Sequence, residues 1–128
     1  MMYLKTAFAL ILFSCFSIGL VACKTLQTDE SLSLKDALSG KFYIGTAMNS
    51  EQITGIDAAS VRVIKDQFNA IVPENVMKSE VIQPVEGEFN FTLADQFVDF
   101  GEKNKLFVTG HTLIWHSQLP KWFCVDDK

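Results

Sequence analysis

The hydrophobic pattern along this 128-residue chain changes character twice. From Thr6 to Ala22 the sequence TAFALILFSCFSIGLVA carries no charge, and Lys5 is the only charged side chain before it. A basic start, a short apolar stretch and small residues ahead of a cleavage point are the marks of a secretory leader. The uncharged run lies at the bottom of the range for a membrane-spanning helix, which needs about 20 residues. From Lys24 to Ser33 the pattern vanishes, because KTLQTDESLS is polar and without period, as expected of a flexible tether. From Leu34 onward, short apolar runs alternate with stretches of helical period.

Ser33 caps a predicted short helix, Ser33–Leu38, that stops near Gly40. Phe42–Ala47 is apolar and bounded by glycine and asparagine, which predicts a buried strand. Asp57–Gln67 fits an amphipathic helix, with Asp57 as N-cap and Val61, Ile64 and Phe68 on one face. Phe68–Val72 predicts a second strand, ended by Pro73. Glu74–Phe91, which contains Pro84 and Gly87, reads as a long loop. Thr92–Asp95 has the form of a capping box with Asp in place of Glu. It opens a helix whose apolar stripe is Leu93, Ala94, Phe97 and Phe100, with Lys103 and Lys105 near the end that favours cations. Leu106–Gly110 predicts a third strand.

Strands alternating with helices require parallel pairing and right-handed crossovers, so the predicted fold class is α/β. Three strands suit an open doubly wound sheet and a closed barrel equally. The turn Gly45-Thr46-Ala47-Met48-Asn49 lacks the glycine fingerprint that cradles a dinucleotide phosphate, which weakens a nucleotide-binding reading.

Composition adds three constraints. With 48% hydrophobic and 20% charged residues, the chain belongs with globular proteins of one domain rather than with disordered ones. The net charge is −4, and removal of the leader deletes Lys5 and makes it −5. Such a surface repels nucleic acid and suits a neutral ligand. Of the three cysteines, Cys15 lies in the leader, and Leu20-Val21-Ala22-Cys23 resembles the bacterial lipobox, whose cysteine is diacylated after cleavage. Residues 1–22 are then a lipoprotein signal peptide, 23–33 a tether, and Cys23 the lipidation site that holds the protein on a membrane. The competing reading is an ordinary leader or uncleaved anchor with a chance cysteine. Under lipidation Cys124 has no partner for an intrachain disulfide. The expected location is the cell envelope, at the outer membrane or the cell surface.

In either α/β architecture, sites form at the carboxyl ends of the strands. After the second predicted strand come Glu74, Asn75 and Lys78; after the third come His111, Trp115, His116, Ser117 and Gln118. Each has a plain reading. Glu74 and Lys78 have the spacing of a helical ion pair, Asn75 can cap a turn, and Trp115 can be core. His111 and His116, five apart, point to opposite faces of a strand and about 140° apart on a helix. With no third ligand and no HExxH arrangement, no metal is expected, and no cofactor is implied. An indole among amide, imidazole, ammonium and carboxylate groups instead suits a sugar: the ring packs on the pyranose while polar groups bond its hydroxyls.

Three stretches carry a resemblance: Glu74-Asn75-Val76-Met77-Lys78, Pro84-Val85-Glu86-Gly87-Glu88-Phe89-Asn90-Phe91, and the run from Gly110-His111-Thr112-Leu113-Ile114-Trp115-His116-Ser117-Gln118 to Trp122. They resemble glycoside hydrolase family 10, mainly endo-1,4-β-xylanases on a (β/α)8 TIM barrel, from about Leu34 to Trp122, which makes residues 34–128 a partial catalytic domain of that family. The resemblance implies an α/β fold made of the N-terminal three βα units of that barrel. It also implies that Glu74, Asn75 and Lys78 bond hydroxyls of the non-reducing-side xylose units of xylan or xylo-oligosaccharides. His111, Trp115 and Gln118 would line the subsite next to the scissile bond, and His116 would fix the loop. The family's two catalytic glutamates follow the fourth and seventh strands. Glu74, Glu80, Glu86 and Glu88 match neither position, so no catalytic residue is expected in this chain and the chain alone is expected to be inactive. The alternative is a non-catalytic xylan-binding surface lipoprotein.

Overall fold

The computed structural model describes residues 32–124, so the leader, Cys23 and all but the last two residues of the tether lie outside the described residues. Three strands, β1 (Gly45–Met48), β2 (Ala70–Pro73) and β3 (Phe107–Val108), form one parallel sheet in the order β1-β2-β3. Among the described residues the helices are α1 (Leu34–Ala37), α2 (Ser50–Ile53), α3 (Ala58–Gln67), α4 (Ser79–Ile82) and α5 (Thr92–Lys103). The two long ones, α3 and α5, are the crossovers that the strand–helix alternation predicts.

Each strand begins later than the apolar runs suggest. Ile44 N–H donates to the Asn69 side-chain oxygen at 2.8 Å, and Asn69 N–H returns to Ile44 O at 3.0 Å. A side chain therefore takes the place of a ladder rung, and regular pairing starts at Gly45 opposite Ala70. Pro73 is the last residue of β2 and pairs with Met48, rather than lying beyond the strand. It has no N–H to give, and Glu74 N–H bonds Met48 O at 2.9 Å instead. The third strand shrinks to two residues.

Helix ends follow local chemistry. Ser33 caps α1 by accepting from Asp36 N–H at 3.2 Å, and Gly40 follows with φ 74°. Asp57 caps α3 through Ser60 N–H at 3.1 Å. The expected box at Thr92 does not form. Thr92 is the first residue of α5, and its N–H is taken by Asn90 Oδ1 at 3.1 Å, while Phe91 holds the cap position without a side-chain bond. The asparagine two residues upstream reaches the orphan donor first. Two helices escape the periodic pattern altogether. One is α2, with a reciprocal Asn49–Gln52 capping box at 3.0 Å in both directions, and the other is α4, inside the expected loop.

The core lies between the sheet and the helices. Phe97 of α5 is fully buried and Ile71 of β2 is 1% exposed, joined by Met48, Ile53, Ile64 and Val76. Burial of a ring such as Phe97 is worth about 1.5–3 kcal/mol. Helix α5 approaches β3 closely at Gly101, where a β-carbon would collide with Val108 Cγ2.

On the opposite face of the sheet small residues come together: Gly45 lies against Ala70, and Ala47 pairs with Val72. Over this floor Tyr43 stacks on Phe107, with ring centroids 4.7 Å apart. The two rings come from the first and third strand positions, as inward side chains of alternate strands do in a parallel barrel.

Two outcomes test this packing. Gly101→Ala forces α5 away from Val108 and should cost about 1–3 kcal/mol, the usual range for overpacking, read as a lower denaturation midpoint. The Asp57 carboxyl is held below its usual value by the side-chain and backbone hydrogen bonds of Ser60. Its contribution to stability is present above the ordinary carboxylate range, near pH 4, and is lost as pH falls through the lowered folded value. Asp57→Asn keeps a cap but does not titrate, so the difference between wild type and variant in urea midpoint should change between pH 6 and pH 3; an unchanged difference would refute this role.

Candidate functional site

Parallel pairing sets the carboxyl ends of β2 and β3 side by side, so the two rim loops leave the sheet as neighbours. The first loop starts at Glu74, whose backbone is tied to the end of β1. Val76, 4% exposed, pins the turn into the core, and Lys78 N–H closes it on Asn75 O at 2.9 Å. Residues 74–78 are not helical, and among the described residues the one ion pair is Lys103–Asp99, at 3.7 Å in α5. The simple Glu74–Lys78 ion-pair reading is therefore not realised.

Lys78 is only 4% exposed, yet among the described residues no side-chain nitrogen or oxygen is both buried and without a partner. Its aliphatic stem is buried while the ammonium still meets open space. That ammonium sits 4.4 Å from the centroid of the Trp115 ring, a cation–π contact between the two rim loops. Trp115 remains 38% exposed, and His116 packs edge-on against it at 5.2 Å. Further along the second loop, Gln118 Nε2 donates to Asn75 Oδ1 at 3.1 Å. Gln118 has φ 52°, and its carbonyl accepts Glu80 N–H at 3.1 Å.

Of the six predicted site residues, four are thus brought into direct contact in two pairs, Lys78 with Trp115 and Asn75 with Gln118. Glu74 and His111 stand exposed on the same rim, just past β2 and β3 respectively, and make no side-chain hydrogen bond among the described residues. Among the described residues no cluster of three His, Cys, Asp or Glu side chains is placed to hold a metal ion.

Sequence reasoning missed the supports behind these residues. Pro120 is buried, Phe123 N–H closes a turn on Pro120 O at 3.0 Å, and the Trp122 indole N–H bonds Gln83 O at 2.9 Å. The signal was present as a proline two residues ahead of a tryptophan, which fixes the approach of a large ring. Beside the rim lies an apolar groove of about 450 Å³ lined by Met77, Ile82, Phe91, Val98 and Trp122, with Leu113 almost wholly exposed at its edge.

Chemically, this arrangement offers a partly exposed indole that carries an ammonium over its ring and an imidazole packed beside it. The Asn75–Gln118 bond consumes one amide donor and one acceptor. Among the described residues no side-chain hydrogen bond takes up Asn75 Nδ2 or Gln118 Oε1, so one donor group and one acceptor remain for hydroxyls.

The profile of Glycosyl hydrolase family 10 matches residues 33–128. An endo-1,4-beta-xylanase A of Xylanibacter ruminicola is 48% identical over 94 residues, which are 73% of this chain and 26% of that protein. An endo-1,4-beta-xylanase A of Caldicellulosiruptor sp. (strain Rt8B.4) is 46% identical over 91 residues, 71% of this chain and 13% of that one. The crystal structure of xylanase 10B from Thermotoga petrophila RKU-1 in complex with xylobiose superposes with a TM-score of 0.67 at 38% identity, covering 73% of this chain and 29% of that chain. A mutant structure in complex with xylotriose gives a TM-score of 0.68 at 36% identity over 77% and 29%. The chain therefore spans about a quarter of the length of the first of these relatives, and its α/β fold is the corresponding part of a TIM-barrel xylanase. With the profile matched from residue 33 onward and a relative almost half identical over the same stretch, this chain belongs to glycosyl hydrolase family 10, a family of endo-1,4-β-xylanases.

Proposed function

We propose that the chain supplies the non-reducing-side binding site of a retaining endo-1,4-β-xylanase. Glu74, Asn75, Lys78, His111, Trp115 and Gln118 grip xylan or xylo-oligosaccharides, and the whole protein hydrolyses β-1,4-xylosidic bonds. The observation that carries this reading is the Lys78 ammonium 4.4 Å over the Trp115 ring, which ties the two rim loops together. Relatives solved with xylobiose and xylotriose support the same ligand class.

A retaining mechanism needs two carboxyl groups about 5–5.5 Å apart. The family carries the first of them in an Asn-Glu pair, and no Asn-Glu dipeptide occurs in the 128 residues. Both glutamates are accordingly assigned to polypeptide outside this sequence, and the chain alone binds without turnover. A non-catalytic xylan-binding surface lipoprotein is the second reading, favoured by one fact: the Asn75–Gln118 and Lys78–Trp115 contacts are both made within this chain. The coding sequence immediately downstream separates the two, since continuation into an Asn-Glu after a fourth strand supports the enzyme. Residues 1–22 act as the lipoprotein leader, residues 23–33 as the tether to residues 34–128, and Cys23 as the lipid attachment that places the protein in the cell envelope.

Xylotriose should change the tryptophan fluorescence of the chain, and Trp115→Ala should weaken binding at least about tenfold, equivalent to about 1.4 kcal/mol. Full retention of affinity would remove Trp115 from the site. Incubation of the chain with xylan should release no reducing sugar, and clear turnover would overturn the assignment of both acids elsewhere. Labelled palmitate should enter the wild-type protein in a bacterial host and not Cys23→Ala; equal labelling of the two would end the lipidation reading.

A further inference from the structure

We propose that Trp122, outside the sugar pocket, is a positioning residue: its indole N–H bond to Gln83 clasps the second rim loop onto α4 and thereby holds Gln118 and the segment bearing Trp115 in place. This rests on the reading of the pocket as a xylose site and deepens it.

The β3 ladder contains two residues, so it cannot by itself fix a loop that runs from Thr109 to Trp122. Three ties do so. Gln118 O accepts Glu80 N–H at 3.1 Å, at the start of α4. Gln118 Nε2 reaches Asn75 at 3.1 Å. Trp122 Nε1–H reaches the carbonyl of Gln83, the residue that ends α4, at 2.9 Å. A carbonyl at a helix C-terminus has no partner inside the helix, so the indole satisfies an orphan acceptor while anchoring the loop. One loop therefore grips both ends of a four-residue helix.

Between the grips the chain has little freedom. Pro120 is buried, and Phe123 N–H bonds Pro120 O at 3.0 Å, which presents the Trp122 ring to Gln83. Gln118, four residues earlier, sits in the left-handed region at φ 52°, a conformation that a residue with a β-carbon keeps only where its surroundings enforce it. Of the three ties, the Trp122 bond alone involves no residue assigned to the sugar. Its loss would free one end of the loop, and Gln118 would relax away from Asn75.

The test uses the full chain. Trp122→Phe keeps an aromatic ring in the groove and removes the donor. The affinity for xylotriose should fall about three- to tenfold, the worth of one net hydrogen bond. Added to Gln118→Ala, the same substitution should change affinity by a smaller factor than it does in the wild type, because one of the groups it positions is already gone. A purely structural role would lower the thermal midpoint and leave the affinity of the folded protein unchanged, and that result overturns the proposal, as do fully multiplicative effects in the double variant. If the wild type itself fails to bind xylotriose, the reading of the pocket falls while the clasp can still be judged. The chain has two tryptophans, so Trp122→Phe and Trp115→Phe each leave a single one to be excited selectively. A clasp requires that their two spectra do not sum to the wild-type spectrum, with Trp115 more accessible to acrylamide once Trp122 is replaced. Additive spectra and unchanged quenching overturn it.

Discussion

The parallel pairing of β2 with β3 is the constraint on which the pocket depends. Only Phe107 and Val108 take part, held by Phe107 N–H to Asn69 O at 2.8 Å and Thr109 N–H to Ile71 O at 3.0 Å. Such a short ladder gains its register from packing. A slip of one residue would turn Val108 toward the open face and drive Phe107 into the helices, where Gly101 leaves no room for a ring. The same register aims Thr109 and the following loop at Lys78. The separation of the two rim loops is therefore set by the closeness of α5 to the sheet, far from any residue assigned to the ligand.

How much of this was legible in the sequence follows from the length of each signal. Helices α3 and α5 carry two or three turns of apolar period, and Ile64, Ala94 and Phe97 are buried as the stripes require. Strand existence and parallel pairing were legible, but strand starts were not. Phe42 and Tyr43 are apolar and yet exposed, and regular pairing begins only past the point where the Asn69 side chain stands in for a ladder rung. Four-residue helices hold a single turn and have no period to detect; α2 is announced only by Asn49 and Gln52. At Thr92 the capping pattern was present but lost to Asn90, a competition between two local bonds that spacing alone does not decide.

The pocket divides along the same line. Strand-end chemistry placed Glu74, Asn75, Lys78, His111, Trp115 and Gln118 on one rim. The contacts that join them, Asn75 to Gln118 and Lys78 to Trp115, link residues some forty positions apart and depend on the β2–β3 register. Trp122 to Gln83 is of the same kind. No local pattern encodes such pairs, and this is why the contacts that support the rim were missed while the residues at the strand ends could be named.

Lys78 shows what that arrangement costs and what it prepares. Removing an ammonium from water is expensive, and a lone buried lysine would be strongly disfavoured. Here the hydrocarbon stem is what is buried, and the charge lies against the negative face of an indole at 4.4 Å. The cation is only partly satisfied, since an aromatic face supplies attraction without accepting a directed hydrogen bond. For the proposed xylose ligand this matters: its hydroxyl oxygens can complete the coordination of the ammonium while its apolar face packs on the exposed part of Trp115. Both gains come without rearrangement, because the lysine and the indole already hold each other in position, and binding then pays little to order them.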